Sequence, residues 1–492
     1  MDWTQIGSMF LATMNPYMLW VCLIGVTLGI LWGAMPGLST TMAMALLIGL
    51  SAGLDQYVAI MFMLGVYTGS VFGGAISAVL INIPGTPDAV PTMMEGHTLA
   101  QKGEGGLALG TAIAASFLGN WVGILILIAF IPVILFLALQ FQSWEMFLLA
   151  MWGIAICGTM SAGEMPLKGW ISGWIGLLVA SVGLDAIHGV PRFTFGSLLL
   201  EDGISYVPIL IGLFGLTEIL RVLPQKAPYA IPSEVGRVVP PFRTLVKYSR
   251  SAIRSGLIGT VIGAIPGAGA NVASFLSYDI GKRRASPAER AKWGKGSYEG
   301  IVCAEVANNA NIGGSMLPTL TLGIPGNAAA AAILAALELK NVVVGPAIQI
   351  EHPGLIYFIY FALIIANFLM YGMAIALVKP CVKLFSLPRS LLMPLIIPLC
   401  VIGSFAVNLN SMDVVIMLVS GLLGFVLFQF GFPLAPLVLA VILGPLADEN
   451  LRRALLVFED ESIWFVLSRP IGSILLIVVL FTFYDGIFRR GK

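Results

Sequence analysis

A helix-breaking motif occurs twice inside sequence apolar enough to lie in a membrane. Gly29-Ile-Leu-Trp-Gly33-Ala-Met-Pro36-Gly37 returns as Gly259-Thr-Val-Ile-Gly263-Ala-Ile-Pro266-Gly267, 230 residues later (266 − 36 = 230). Each copy is followed by a Gly-Gly pair and a further Pro-Gly: Gly73-Gly74 with Pro84-Gly85, then Gly313-Gly314 with Pro325-Gly326. A broken helix exposes backbone N–H and C=O groups, which hydrocarbon tolerates only where they are buried in protein or line a cavity. The four breaks therefore mark the expected solute site of a duplicated chain.

Composition sets the solvent. Of 492 residues, 58% are hydrophobic and 10% charged, too apolar a balance for one water-soluble core. Runs of spanning length, such as 58–81, 107–139, 204–223, 355–378 and 414–430, together with the broken runs, predict about 12 to 14 membrane segments. The expected fold is an all-α polytopic membrane protein. The start lacks a basic n-region and a small-residue cleavage site, so a removable signal peptide is not expected. Five cysteines, Cys22, Cys157, Cys303, Cys381 and Cys400, are scattered without paired spacing and read as buried small hydrophobes rather than a disulfide framework or a zinc site. A net charge of +1 gives no indication of a nucleic-acid partner.

Charge distribution divides the chain into a first membrane repeat (1–220), a basic linker (221–254) and a second repeat with C-terminal helices (255–492). The linker carries Arg221, Lys226, Arg237, Arg243, Lys247, Arg250 and Arg254 against Glu234, and reads as cytoplasmic by the positive-inside rule. Another basic loop, with Lys282, Arg283, Arg284, Arg290, Lys292 and Lys295, follows the second motif. If both flanks are cytoplasmic, residues 255–280 form a re-entrant hairpin turning at Pro266-Gly267. Roughly 13 residues per arm at 1.5 Å each reach about 20 Å, past the middle of a ~30 Å hydrocarbon core. The first motif is flanked by Asp2 and Asp55 with no basic residue between Met1 and Asp55, as on an outer face. The two repeats are thus expected to be inverted, a recurrent architecture of secondary transporters. Two ordinary spans kinked by Pro-Gly are the plainer alternative.

The residues after the breaks suggest an anionic solute. Helix N-termini carry unpaired N–H groups and partial positive charge, so they bind carboxylates without an arginine. The candidate solute-binding residues are Pro36, Gly37, Ser39, Thr40, Thr41 and Thr86 in the first repeat and Gly267, Gly269, Asn271 and Asn327 in the second. Ser39 to Thr41 and Asn271 could instead serve only as helix caps. Coupling-ion candidates are Asp88, with Glu95 nearby, and the polar string Glu305-Val-Ala-Asn308-Asn309-Ala-Asn311. Intramembrane acids and amides are functional candidates by default, with Na⁺ or H⁺ as the ion; interhelical hydrogen bonding is the competing reading. The 56 glycines include small-xxx-small pairs, Gly69 with Gly73 and Gly259 with Gly263, expected at close helix contacts.

The strings Gly33-Ala-Met-Pro36-Gly37-Leu38, Ile83-Pro84-Gly85-Thr86-Pro87-Asp88 with Glu95-Gly96, Gly263-Ala-Ile-Pro266-Gly267-Ala-Gly269, Glu305-Val-Ala-Asn308-Asn309 and Gly323-Ile-Pro325-Gly326 resemble the large membrane subunit, TctA, of bacterial tripartite tricarboxylate transporters. The likeness runs over nearly the whole chain. It implies a permease of the bacterial inner membrane, with a cytoplasmic C-terminus, that imports carboxylates such as citrate on an ion gradient. It also implies a small membrane subunit and a periplasmic solute-binding protein as partners, and the sequence leaves homodimerisation open. ATP is not expected: Gly294-Lys295-Gly296-Ser297 lacks the upstream glycine of a Walker A loop. A gated anion channel is the main competing function. An intramembrane enzyme fits less well, since no His-Glu-x-x-His occurs and His97, His188 and His352 fall in polar junctions.

Overall fold

Proline and glycine fix where this chain stops being helix. In the computed structural model, which describes residues 3–161, 165–185, 187–222, 235–236, 238, 242–385, 389–459 and 469–488, the first repeat opens with α1 (Trp3–Thr13), α2 (Pro16–Ala34) and α3 (Thr40–Ser51). It continues with α4 (Gln56–Ile81), a 3-10 turn (Pro87–Ala89), α5 (Val90–Gln101), α6 (Gly105–Ala138), α7 (Ser143–Ser161) and α8 (Pro166–Ala180). A two-stranded ribbon pairs Gly183 with Arg192 and Leu184 with Pro191. Then come α9 (Tyr206–Leu210), a π-helical stretch (Ile211–Leu216) and α10 (Thr217–Val222). The chain resumes with α11 (Phe242–Lys247), α12 (Ser249–Gly263), α13 (Gly269–Arg284), α14 (Pro287–Arg290), α15 (Tyr298–Leu322) and α16 (Ala328–Glu338). It ends with α17 (Ile348–Glu351), α18 (Leu355–Leu384), α19 (Arg389–Asn408), α20 (Ser411–Gln429), α21 (Leu434–Glu459) and α22 (Pro470–Phe488).

The order of pieces recurs. A helical pair around Pro-Gly (α2–α3, α12–α13) precedes a long helix, a second Pro-Gly break and a short helix (α4–α5, α15–α16), followed by a helix of 30 residues or more (α6, α18). The protein is an all-α polytopic membrane protein. Seven helices are long and apolar enough to cross a bilayer and four shorter ones are apolar, among the described residues. Helices α12, α13 and α15 fall outside those eleven (7 + 4): α12 carries Arg250 and Arg254, α13 ends in Lys282, Arg283 and Arg284, and α15 carries Glu299, Glu305, Asn308, Asn309 and Asn311. Part of the linker, including 223–234, and the end of the chain, 489–492, lie outside the described residues, and with them the expectation for the C-terminus.

Each break has a local cause. Pro36 and Pro266 offer no N–H, and the glycines after them take the left-handed backbone that a side chain resists, φ 89° at Gly37 and 76° at Gly267. Helix α4 ends on Asn82 (φ 55°) and α15 on Gly323 (φ 69°), both left-handed C-caps at matching places in the repeat. After these caps the chain turns back into the protein: Gly85 N–H donates to Gly74 O (3.3 Å), and Gly267 N–H donates to Gly326 O (2.9 Å).

Glycine also sets how close the helices come. α2 runs parallel to α4, with Gly25 against Phe62, Gly29 against Val66 and Gly33 against Ser70, so that an added methyl would strike backbone at all three. Gly69 and Gly73 of α4 meet Val26 and Ile30 of α2 in return. α12 lies parallel to α15 in the same manner, with Gly259 against Ala307 and Gly314 against Thr260, and α6 reaches α15 through Gly119 and Gly123. Such contacts replace the hydrophobic drive, absent between helices in lipid, with close van der Waals packing. At the tips, Gly85 rests on the Gly33 carbonyl and Gly326 on the Gly263 carbonyl.

Three contacts mark the ends. Lys340 Nζ donates to Ala52 O (2.6 Å), placing the turn after α16 beside the turn joining α3 to α4. Glu95 of α5 accepts from the N–H groups of Gly294 (2.6 Å), Gly296 (3.1 Å) and Ser297 (2.7 Å), just before α15. Lys247 Nζ (2.7 Å) and Tyr248 Oη (3.0 Å) hold Glu289, joining the start of α12 to the turn after α13. The Lys247 ammonium lowers the Glu289 carboxyl to about 2.

If glycine contact sets the helix spacing, Gly29→Val and Gly314→Val should each destabilise the protein by about 1–3 kcal/mol and lower its thermal unfolding temperature in detergent. Gly372→Ala, with nothing near the added methyl, should not. Wild-type melting of both valine variants would refute the packing argument.

Candidate functional site

The breaks of the two repeats meet at one cavity of about 670 Å³. Its walls take Ser39, Thr40 and Thr41 from the start of α3, Gly267 to Asn271 from the turn into α13, and Asn327 from the turn into α16. Asp88 of the 3-10 turn, Tyr67 of α4, and Asn308 and Asn311 of α15 add to the polar surface, and Ser161, Thr217, Glu218 and Arg221 extend it. Apolar wall comes from Phe214, Phe428, Phe432 and Leu439, with Cys157 of α7 packed on Gly267.

Three helix N-termini thus face one space. The Ser39 hydroxyl accepts from Met42 N–H (3.1 Å) and Asn327 Oδ1 from Ala330 N–H (2.8 Å), so both cap their helices while also lining the cavity. α13 starts without a side-chain cap, and Ala268 to Asn271 present its first turn to the cavity. Unpaired amides and aligned peptide dipoles there carry partial positive charge. Arg221 is the one cation among the described lining residues; it pairs with Glu218 (3.3 Å) and lies over the Phe428 ring (4.4 Å).

A hydrogen-bond relay joins the repeats across the cavity. Tyr67 Oη meets Ser315 Oγ at 3.0 Å, and Asn327 Nδ2 donates to Tyr67 Oη (3.0 Å) and to Asn311 Oδ1 (2.9 Å). On the other side Asn308 and Thr86 lie beside Asp88. There the Thr86 hydroxyl, Asp88 Oδ2 and both polar atoms of Asn308 are buried without a hydrogen-bond partner.

Other sequence candidates sit elsewhere. Pro36 is buried and outside the cavity lining, Gly37 faces Val222, and Thr86 packs on Gly74. Glu305 is fully buried away from the cavity and accepts from Thr92 Oγ1 (2.5 Å), Ser116 Oγ (2.9 Å) and Asn309 Nδ2 (3.4 Å). Glu95, with Tyr278 Oη at 2.6 Å besides its three backbone donors, joins the repeats at one end of the bundle. The five cysteines are buried and free, and no group of three or more His, Cys, Asp or Glu suited to a metal occurs among the described residues.

Sequence reasoning missed Tyr67 and took Arg221 for loop. The repeat held a signal for the first: Pro84 maps to Pro325 with an offset of 241 (325 − 84 = 241), and the same offset maps Tyr67 to Asn308 (308 − 67 = 241). Arg221 carried no such mark, since it opens the basic stretch.

Residues 19–439 match the family model described as the tripartite tricarboxylate transporter TctA family. An uncharacterized 52.8 kDa protein in the TAR-I ttuC' 3' region of Agrobacterium vitis is 34% identical over 474 residues, covering 96% of this chain and 93% of that protein. An uncharacterized protein in the TAR-II ttuC' 3' region of the same organism is 38% identical over 219 residues, 44% of this chain and 89% of that protein. No solved structure matches significantly. With the family match covering most of its length, this chain belongs to the tripartite tricarboxylate transporter TctA family, a family of membrane transporters.

Proposed function

We propose that this protein is the permease subunit of a secondary transporter that imports a small carboxylate, of the citrate type, by ion-coupled alternating access. The convergence of three helix N-termini on one cavity carries the reading. Amide dipoles, the Thr40 and Thr41 hydroxyls, Asn271 and Asn327 favour an anion yet supply a single cationic side chain, Arg221. A site of that kind holds a carboxylate strongly enough to select it and weakly enough to release it.

Alternating access then rests on inverted repeats. Lys340 with Ala52 groups the open end of the first hairpin with the turn after α16, and Glu95 with Gly294 to Ser297 groups α5 with the loop after the second hairpin. Because α4 runs from the first group toward the second, these contacts support hairpins entering from opposite faces, the basic face being cytoplasmic. Family membership supports a site of action in the inner membrane beside a small membrane subunit, with solute delivered by a periplasmic binding protein. A gated anion channel is the alternative, and accumulation of solute against its gradient separates the two.

Two outcomes test the proposal. In vesicles holding all three subunits, Thr40→Ala and Asn271→Ala should each raise the half-saturating citrate concentration about 10- to 100-fold, the loss of one or two hydrogen bonds to a charged ligand; unchanged saturation curves would contradict it. With single cysteines at positions 55 and 282, a membrane-impermeant maleimide should reach Asp55→Cys only from outside and Lys282→Cys only from inside. Labelling of both from one side would rule out inversion.

A further inference from the structure

The two polar clusters beside the cavity occupy equivalent places in the repeat, and they are not chemically equivalent. In each, the middle of a long helix reaches the dipping break of the other half: Tyr67 meets Asn327, and Asn308 meets Asp88, beside Thr86. Around Asn327 every side chain is neutral, and the Tyr67 hydroxyl and the Asn311 amide complete the hydrogen bonds. The repeat offset puts Asn308 where the first cluster has Tyr67, and Asp88 where the second has Ala329 (88 + 241 = 329).

Around Asp88 the bonds are not completed. Thr86 is 1% exposed, Asn308 1% and Asp88 6%. Thr86 Oγ1, Asp88 Oδ2 and both Oδ1 and Nδ2 of Asn308 lack a hydrogen-bond partner, and neither Pro84 nor Pro87 in this turn has an N–H to offer. No lysine, arginine or histidine forms an ion pair with Asp88 among the described residues. A carboxylate buried without a counter-charge is costly unless a proton neutralises it or a cation completes it.

We infer that Asp88, Thr86 and Asn308 form a binding site for one sodium ion at the edge of the solute cavity. A single carboxylate with neutral oxygens balances one positive charge, which suits a monovalent ion better than Mg²⁺ or Ca²⁺. Hard oxygen donors and an unwound backbone segment are the usual Na⁺ ligands at membrane depth. Glu305 is excluded from this role because Thr92, Ser116 and Asn309 already donate to it. The site deepens the transport reading, since an ion bound beside the anion lowers the cost of moving the anion's charge, but its test needs no solute.

The test is Na⁺-dependent thermal stabilisation of the purified full-length protein in detergent without carboxylate, with K⁺ and choline as comparison salts. Wild type should shift with Na⁺ alone, Glu305→Gln should keep the shift, and Asp88→Asn and Asn308→Ala should need about tenfold more Na⁺ or lose the response. Where Asp88→Asn fails to fold, Thr86→Val takes its place. Equal responses to Na⁺, K⁺ and choline in wild type, or an unchanged Na⁺ response in the Asp88 and Asn308 variants, would overturn the assignment. Na⁺ binding that persists in a system unable to move any carboxylate would support this site while refuting the transport reading.

Discussion

Backbone polar groups freed by a broken helix have no water to turn to inside a bilayer, and the architecture follows from how they are satisfied. Four breaks would leave several orphan amides and carbonyls at membrane depth, each costing several kcal/mol in hydrocarbon. The freed groups are bonded in part: Gly267 donates to Gly326 of the other break in its half, and Gly85 donates back to Gly74 within α4. What remains faces a shared cavity rather than lipid. Only glycine lets the backbones come this close, as Gly85 on Gly33 and Gly326 on Gly263 show in the two repeats.

From that constraint the chemistry of the site follows. Turning a helix start inward directs unpaired N–H groups to one point, and three such starts bring partial positive charge to a cavity whose formal charges are Asp88, Glu218 and Arg221. The same geometry divides labour within α15. Asn308 and Asn311 face the cavity, whereas Glu305 turns toward Thr92 and Ser116, which donate to it, with Asn309 donating from within the same helix. Glu95 has a comparable structural task at the end of the bundle, where its carboxylate takes the backbone amides before α15.

How much of this could be read from the chain depends on which physical rule is local. Pro36, Pro266, Pro84 and Pro325 stop helices through their own rings and neighbouring glycines, so the breaks and the all-helical class were legible. The first turns of α3 and α13 were legible for the same reason, as the residues that open a helix after a break. The separation of Glu305 from Asn308 was not, because both lie in one apolar stretch and only the helices packed on α15 decide which side is sealed. Tyr67 looked like any aromatic in a buried span until the repeat aligned it with Asn308, and Arg221 looked like the first residue of a loop although it lines the cavity.

The central claim is that segments far apart in sequence surround one anionic solute. Cysteine protection tests it most directly, with Thr40→Cys and Asn271→Cys made separately in a Cys157→Ala background and labelled by a small maleimide with and without citrate. The account predicts that citrate slows labelling at both positions, with half-protection at the same concentration. Slowing at one position only, or at neither, in protein that still accumulates citrate would contradict it.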